Sequence, residues 1–291
     1  MMSALARPRR SLLYLPASNA RAIEKARALP VDVVILDLED AVAPDMKDEA
    51  RDAAVKAVRE GGFGPRELVV RVNGLDTPWG EADLAAVAAA MPDAVLVPKV
   101  DRASDIAAYD HWLANAPAEL ALWAMIETCA SVAQLYAIAG CAETSRLAAF
   151  VMGTNDLAKE SRARLLPGRM PFLPVLSLAV FAARSQGLVV IDGVCNEFRD
   201  LDAFRAEAQQ GIELGFDGKT LIHPDQVAPC NEAFSPSAEE IAWGRQVIDA
   251  FALPENAGRG AIKVDGKMVE LLHLEQARRL VAIGEAIAAQ V

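Results

Sequence analysis

Short apolar runs recur along this chain, and six of them end on a charged residue. The runs are ILDLED at Asp37 to Asp40, VVRVN at Arg71, VLVPK at Lys99, WAMIE at Glu127, FVMGTND at Asp156 and VVIDG at Asp192. Subtraction gives intervals of 28, 28, 29 and 36 residues from Arg71 onward. A strand, a helix and two loops take about thirty residues, so each run predicts one βα unit with a buried strand.

The same periodicity predicts the boundaries of the strands and helices. The predicted strands are 11–16, 33–38, 67–73, 94–100, 121–127, 146–153, 188–194 and 216–223. The predicted helices are 18–29, 47–60, 81–91, one after 104, 131–140, 201–214, one from 237 that Pro254 closes, and 274–289. A long irregular loop is predicted from Thr154 to about Pro171, and its four basic residues make it a candidate substrate clamp: Lys159, Arg162, Arg164 and Arg169.

This alternation predicts an α/β fold, a (β/α)8 TIM barrel. Charged residues at the carboxyl ends of parallel barrel strands converge on one face, where such enzymes place their chemistry. The chain has 291 residues, which exceeds the roughly 250 residues of a typical barrel. We therefore predict a catalytic barrel over residues 1–254 and a C-terminal arm over 255–291, in which Gly258, Gly260 and Gly266 mark a flexible segment.

The composition limits the classes of binding partner and the cellular location that we expect for this protein. The net charge of -11 argues against a nucleic-acid partner. The apolar runs stay below the ~18 residues of a membrane span, and the N-terminal segment lacks the features of a signal peptide. We expect a cytoplasmic protein without a membrane partner. The four cysteines show no CxxC spacing, which favours buried free thiols.

Glu127 and Asp156 follow apolar runs on adjacent predicted strands. Carboxylates that converge repel each other unless a cation or a proton lies between them, and oxygen ligands suit Mg²⁺. Metal ligation by both is the functional interpretation, and a capping or ion-pair role is the alternative. Arg71 either pairs with a core carboxylate or faces the site, where its planar fork would suit a diacid substrate.

Three further charged residues have two interpretations each. Glu39 and Asp40 could support the metal through water or cap a helix. Lys99 is a candidate substrate-binding residue or a solvated strand end. The chain shows neither a Ser/His/Asp pattern nor a glycine-rich phosphate fingerprint, so a serine hydrolase and a dinucleotide enzyme are not supported.

Several motifs along nearly the whole chain carry a family resemblance. They are RSLLYLPASNARAIEKA, VVILDLEDAV, VRVNGLDT, LVPKV, MIET, GTNDL, IDGV, LGFDGKTLIHPDQ and FSPSAEEI. The sequence resembles the HpcH/HpaI aldolase and citrate lyase beta-subunit (CitE-like) superfamily. The resemblance implies a TIM barrel, Mg²⁺, substrates that are CoA thioesters of small hydroxy-diacids, and a homo-oligomer built from trimers. It also implies Glu127 and Asp156 as metal ligands, Arg71 on the acid carboxylate or enolate oxygen, and Glu39 and Asp40 in support.

The C-terminal arm departs from that family pattern. Lyases of this group often carry a GxMID motif whose Asp enters a neighbouring subunit's site as acid or base, whereas this chain has Glu270 in that place. The WAMIET and TNDLAKE motifs and the C-terminal stretch DGKMVELLH resemble the malyl-CoA thioesterase branch more than the citramalyl-CoA or citryl-CoA lyases. We expect carbon-carbon cleavage of a malyl-CoA-type ester, with thioester hydrolysis and a non-catalytic CoA-ester binding subunit as the alternatives.

Overall fold

Eight parallel strands close into a barrel in the computed structural model, which describes residues 7–290. Each strand pairs with the next along the chain, and the last pairs with the first. This architecture confirms the predicted (β/α)8 fold. The strands are β1 Ser11–Pro16, β2 Val33–Asp37, β3 Glu67–Arg71, β4 Ala94–Val97, β5 Ala121–Ile126, β6 Leu147–Met152, β7 Val189–Asp192 and β8 Gly218–Leu221.

The barrel strands are buried on both faces, which explains why they read as continuous apolar runs. One apolar cluster fills the barrel interior, with Leu12, Ile35 and Trp123 among its members. A larger cluster packs the outer face of the strands against the helices. The register pairs Asp37 of β2 with Arg71 of β3, so the last residues of neighbouring strands lie side by side.

Ten helices accompany the strands within Arg9–Phe234, which forms one compact unit. Asn19 and Asp200 cap two of them, because their side-chain oxygens accept hydrogen bonds from backbone amides of the first turn. The helix predicted over 131–140 is divided at Gln134. The helices are α1 Ala20–Ala26, α2 Lys47–Glu60, α3 Gly80–Ala90, α4 Ala103–Trp112, α5 Cys129–Ala133, α6 Leu135–Gly140, α7 Thr154–Ser161, α8 Leu173–Ser185, α9 Leu201–Leu214 and α10 Val227–Phe234.

The predicted loop from Thr154 to Pro171 is wrong in its first half, which is α7, and α8 beyond it was not predicted. The stretch that forms α8 is almost wholly apolar, and it buries Leu176, Ala179 and Ala183 at helical spacing. Arg169 is not an exposed clamp residue either. Its side chain is buried and paired with Asp192, which makes it part of the barrel's internal structure.

Residues 235–290 form a second compact unit, together with residues 7 and 8. The structure therefore divides the chain before α11 (Ala238–Ala252), whereas the predicted boundary at 254/255 lies after it. The segment predicted to be flexible contains an antiparallel hairpin of β9 (Ala261–Val264) and β10 (Lys267–Glu270). Asp265 and Gly266 both have positive φ, which is the conformation of a two-residue type I′ hairpin turn. The unit ends with α12, Leu271–Ala288, and its core joins the hairpin to both helices.

No helix in residues 7–290 is both long and apolar enough to cross a membrane. All four cysteines are free; Cys195 and Cys230 are buried as expected, but Cys129 is exposed and Cys141 is half-buried.

Candidate active site

A cavity of about 280 Å³ opens at the carboxyl ends of the barrel strands. The predicted residues Asp40, Arg71, Glu127 and Asp156 all line it. Tyr14 and Asp37, to which the sequence reasoning gave no role, line it as well. Convergence of the strand ends thus brings together residues that are far apart in the sequence.

Arg71 combines the two roles that the sequence left as alternatives, because it pairs with a core carboxylate and also lines the cavity. Its Nε and Nη2 donate to the two carboxylate oxygens of Asp37 at 2.7 and 2.6 Å. Burial alone would lower the pKa of Arg71, but the Asp37 carboxylate raises it well above the usual value. The bidentate face of the guanidinium is therefore occupied by Asp37, and Nη1 points to Glu39 Oε2 at 2.8 Å.

Asp37 is the main site residue that sequence reasoning missed. It belongs to the charged strand end at Asp37 to Asp40 and lies beside Arg71 in the strand register. Its carboxylate also accepts the backbone amides of Glu39 and Ala41 at 2.9 and 3.1 Å. The register of two adjacent strand ends, one acidic and one basic, was the available signal.

Glu127 is almost fully buried, and its two carboxylate oxygens have different surroundings. Oε1 accepts the backbone amide of Lys99 at 2.8 Å, whereas Oε2 has no hydrogen-bond partner among the described residues. Burial, followed by the charge of Glu39, raises the pKa of Glu127 to about 7. A Cβ on Gly153 would come within 2.5 Å of this Oε2, so glycine keeps the space around it open.

Asp156 reaches the same cavity from the first turn of α7, directly after β6. It lies one strand away from Glu127, as the sequence predicted. The helix fixes the direction of its side chain more closely than the predicted loop would have done. Glu127 and Asp156 therefore line the same cavity, and Oε2 of Glu127 has no hydrogen-bond partner among the described residues.

Glu39 and Lys99 stand beside the cavity and pair with each other through their side chains. Burial raises the pKa of Glu39 even though Arg71 and Lys99 oppose the shift. The backbone of Lys99 has φ 48°, a strained value for a non-glycine residue, and it is this residue whose amide holds Glu127. Asp40 is exposed and lies 3.6 Å from Arg71 Nη1.

A second polar network holds the loop after β2. Lys47 Nζ donates to the carbonyls of Leu38 and Glu39 and to Asn73 Oδ1, each at 2.8 Å. Asn73 in turn donates to Asp83 at 2.6 Å. This network fixes the backbone that carries Glu39 and Asp40.

The residues that are present fit a divalent cation. No group of three or more His, Cys, Asp or Glu side chains in residues 7–290 could hold a metal alone. Glu127 and Asp156 offer hard oxygen donors, and Mg²⁺ characteristically takes one or two carboxylates and completes its shell with water and substrate oxygens. The unpartnered Oε2 of Glu127 is the observation that favours this fit.

A different cluster joins Asp192, the last residue of β7, to Lys219, the second residue of β8, which lies beside it in the strand register. Asp192 accepts Arg169 Nη1 at 2.7 Å and Lys219 Nζ at 3.0 Å, and Lys219 also donates to Glu207 at 2.7 Å. Burial would raise the pKa of Asp192, but Lys219 and Arg169 hold it below the usual value. Every charge in this group has a partner, which is typical of a structural network.

Glu270 belongs to the C-terminal unit. It ends β10 and precedes α12, where its backbone amide donates to His273 Nδ1 at 3.0 Å. Its side chain is exposed. The described chain thus shows an accessible carboxylate on an ordered hairpin, and its predicted part in catalysis stays a prediction.

Comparison with known proteins identifies similar chains over nearly the full length. The family model described as HpcH/HpaI aldolase/citrate lyase matches residues 10–224. A (3S)-malyl-CoA thioesterase of Cereibacter sphaeroides is 47% identical over 99% of both chains. An L-malyl-CoA/beta-methylmalyl-CoA lyase of the same species is 34% identical over 98% of this chain and 97% of the relative.

The fold is also similar to solved structures. CitE from Mycobacterium tuberculosis, solved in complex with magnesium, acetoacetate and coenzyme A, matches with a TM-score of 0.75 and 29% identity over 97% of this chain and 99% of that one. RipC from Yersinia pestis matches with a TM-score of 0.69 and 28% identity over 81% and 99%.

Proposed function

The chain belongs to the HpcH/HpaI aldolase/citrate lyase family, and we propose that it is a Mg²⁺-dependent enzyme that hydrolyses the CoA thioester of malate or a similar hydroxy-diacid. The observation that carries the choice of hydrolysis is the 47% identity with a thioesterase over 99% of both chains, against 34% with a lyase. From the sequence, carbon-carbon cleavage was the first expectation and hydrolysis the second, although the motifs resembled the thioesterase branch more.

Glu127 and Asp156 would hold the metal ion. When bound there, Mg²⁺ would supply a Lewis acid for the hydroxyl and carboxylate oxygens of the acyl group. Arg71 keeps its position through Asp37 and Glu39 and lines the cavity, where its positive charge would stabilise an anionic substrate. Lys99 would support substrate binding through its charge. Its backbone amide would also hold Glu127 in position.

Hydrolysis requires water to attack the thioester carbonyl carbon, after which the carbon-sulfur bond breaks. A carboxylate accepts the proton of the attacking water, and the departing thiolate is protonated to free CoA, so malate and CoA are the products. The candidates for this proton transfer are Glu39 or Asp40, beside Arg71, and Glu270 of a neighbouring subunit. Each could accept a proton as a carboxylate.

A malyl-CoA lyase is the second candidate function, and the 34% identical relative favours it. The same metal ligands and Arg71 would serve both reactions, because each reaction places negative charge on the thioester carbonyl oxygen. In the lyase, loss of the hydroxyl proton breaks the carbon-carbon bond to give glyoxylate and the enolate of acetyl-CoA. The metal and Arg71 positions would not differ.

One incubation separates these functions. The purified protein receives (3S)-malyl-CoA and Mg²⁺, and glyoxylate and free thiol are measured separately. Free thiol and malate without glyoxylate support hydrolysis, whereas glyoxylate without free thiol indicates the lyase. Tight CoA-ester binding without either product would indicate a non-catalytic binding subunit. A parallel preparation of Glu127→Gln protein controls for contaminating thioesterases.

Glu270 carries a further proposal about assembly, namely that it completes the site of a neighbouring subunit in a trimer-based homo-oligomer. Its support is the family position and the exposed carboxylate on the hairpin. Two inactive variants, Glu127→Gln and Glu270→Ala, should regain partial activity when co-assembled, because some sites then hold both native residues. Mixed oligomers confirmed by mass that stay inactive, or an active monomer, would reject the shared site.

A further inference from the structure

Tyr14 occupies a position in the cavity that the roles described above do not explain. It lies on β1 and packs at the edge of the apolar cluster inside the barrel. The guanidinium carbon of Arg71 lies 4.9 Å from the centre of its ring. Tyr14 lines the same cavity as Glu127 and Asp156, and it reaches that cavity from a different strand.

The hydroxyl of Tyr14 makes a weak hydrogen bond in the described chain. It donates to the thioether sulfur of Met125 at 3.4 Å, and a thioether is a poor acceptor. Two other polar side chains that line the cavity have stronger oxygen partners. Thr220 donates to the carbonyl of Asp192 at 3.0 Å, and Asn155 donates to Asn196 at 3.2 Å. Tyr14 can therefore exchange its partner for a substrate oxygen at small cost.

Burial and the nearby carboxylates keep Tyr14 in the protonated form that can donate a hydrogen bond. Burial raises the pKa of its hydroxyl; Arg71 lowers it, and the carboxylates of Asp37 and Glu127 raise it further. The phenol thus stays protonated across the working range of pH. A neutral donor inside a low-dielectric cavity stabilises an oxyanion without bringing a charge that must first be desolvated.

We infer that Tyr14 is a catalytic hydrogen-bond donor, whose hydroxyl stabilises the thioester carbonyl oxygen as negative charge develops on it. The inference rests on the proposed function, since that oxygen becomes negative in hydrolysis and in carbon-carbon cleavage alike. Glu127, Asp156 and Arg71 would serve the carboxylate and hydroxyl end of the acyl group. Tyr14 would serve the reacting carbonyl.

The test is Tyr14→Phe, which removes one oxygen and keeps the ring beneath Arg71. Loss of one oxyanion donor lowers kcat by about 10²-fold, and we expect that fall with an unchanged KM, because the bond strengthens only in the transition state. The ratio of wild-type to variant kcat should stay constant from about pH 6 to pH 9, since Tyr14 keeps its proton throughout. A 3-fluorotyrosine at position 14 should restore kcat.

Tyr109→Phe is the matched control. Tyr109 is buried on α4, and its hydroxyl accepts the amide of Leu75 at 3.2 Å, so the same atom is deleted outside the cavity. We expect its kcat to remain at the wild-type level. Circular dichroism and a thermal melt check that both variants fold.

The outcomes distinguish the inference from the proposed function. If the wild-type protein converts no malyl-CoA-type ester, the proposed function fails and the inference fails with it. If the wild type is active but folded Tyr14→Phe retains its kcat, only the inference is overturned. A rise in KM at constant kcat also overturns it, because that result would assign Tyr14 to ground-state binding.

Discussion

Asp192 ends β7 and Glu127 directly follows β5, and these two buried carboxylates differ in how completely nearby charges compensate them. Asp192 meets Lys219 and Arg169, and its pKa falls below the usual value. Glu127 has one oxygen without a partner in the described chain, and its pKa rises to about 7. Both carboxylates are almost fully buried, so burial alone does not separate them.

A buried carboxylate with full charge compensation is typical of a structural role, whereas one with a free oxygen is available to a ligand. A matched network stabilises the fold and leaves nothing for a substrate to satisfy. An unmatched carboxylate in a cavity costs stability until a cation or a proton arrives, which is the pattern expected at a functional site. Four predictions test that contrast, and they run from the largest expected effect to the smallest.

Glu127→Gln should reduce activity to below about a hundredth of wild type at saturating Mg²⁺, because it replaces the charge of a proposed metal ligand with an amide of the same shape. The free energy of unfolding without metal should stay the same or rise, because a buried charge is removed. Steady-state kinetics and urea unfolding measure the two effects. Glu24→Gln, on an exposed ion pair, is the control. Activity above a tenth of wild type would contradict the ligand assignment.

Asp192→Asn is the same chemical change in the matched cluster, and it should act on stability instead. It removes the fully buried anion of Lys219 and Arg169 and leaves them only the partly exposed Glu207, and removal of one partner from a buried ion pair costs about 3–5 kcal/mol. Urea unfolding at neutral pH gives the loss, with exposed Asp202→Asn as the control. An unchanged free energy of unfolding would show that the network is not structural.

Arg71→Lys should lower kcat/KM about 10- to 100-fold, because lysine keeps the charge but cannot bond Asp37 through two nitrogens while it faces the cavity. The melting temperature should fall as well, since Asp37 loses part of its partner. Kinetics on the proposed substrate and a thermal melt measure both. Arg66→Lys, outside the cavity, gives the comparison. A kinetically silent Arg71→Lys would leave this arginine with the structural ion pair alone.

The smallest expected effect is a change in the free energy of unfolding at acidic pH. The pKa of Asp192 is lower in the folded state than its usual 3.8, so its stabilising contribution is present above that value and is lost as the pH falls through the folded pKa. The stability difference between wild type and Asp192→Asn should therefore shrink below about pH 4. Urea unfolding of both proteins from pH 7 to pH 3 measures the change, and the pairwise difference removes the other carboxylates. A difference that stays constant would contradict the lowered pKa.

Much of this molecule could be predicted from the order of its residues. Apolar runs at intervals near thirty residues predicted the barrel, and their terminal charges predicted that Arg71, Glu127 and Asp156 meet at one cavity. These features are local or periodic, and the closed topology then brings the strand ends together. Where a signal was local but unused, as in the Asp265-Gly266 turn, the hairpin was missed.

Only the tertiary structure decided how the charges pair. Asp37 and Arg71 are 34 residues apart, and Arg169 and Asp192 are 23 apart, so no local pattern assigns one partner to the other. The cavity around Glu127 likewise depends on Gly153, which leaves space beside a carboxylate of the neighbouring strand. The residue types and the periodicity of the apolar runs can be read directly from the sequence. Charge compensation, and with it the difference between a structural carboxylate and a candidate ligand, arises from contacts that form only when distant strands pack.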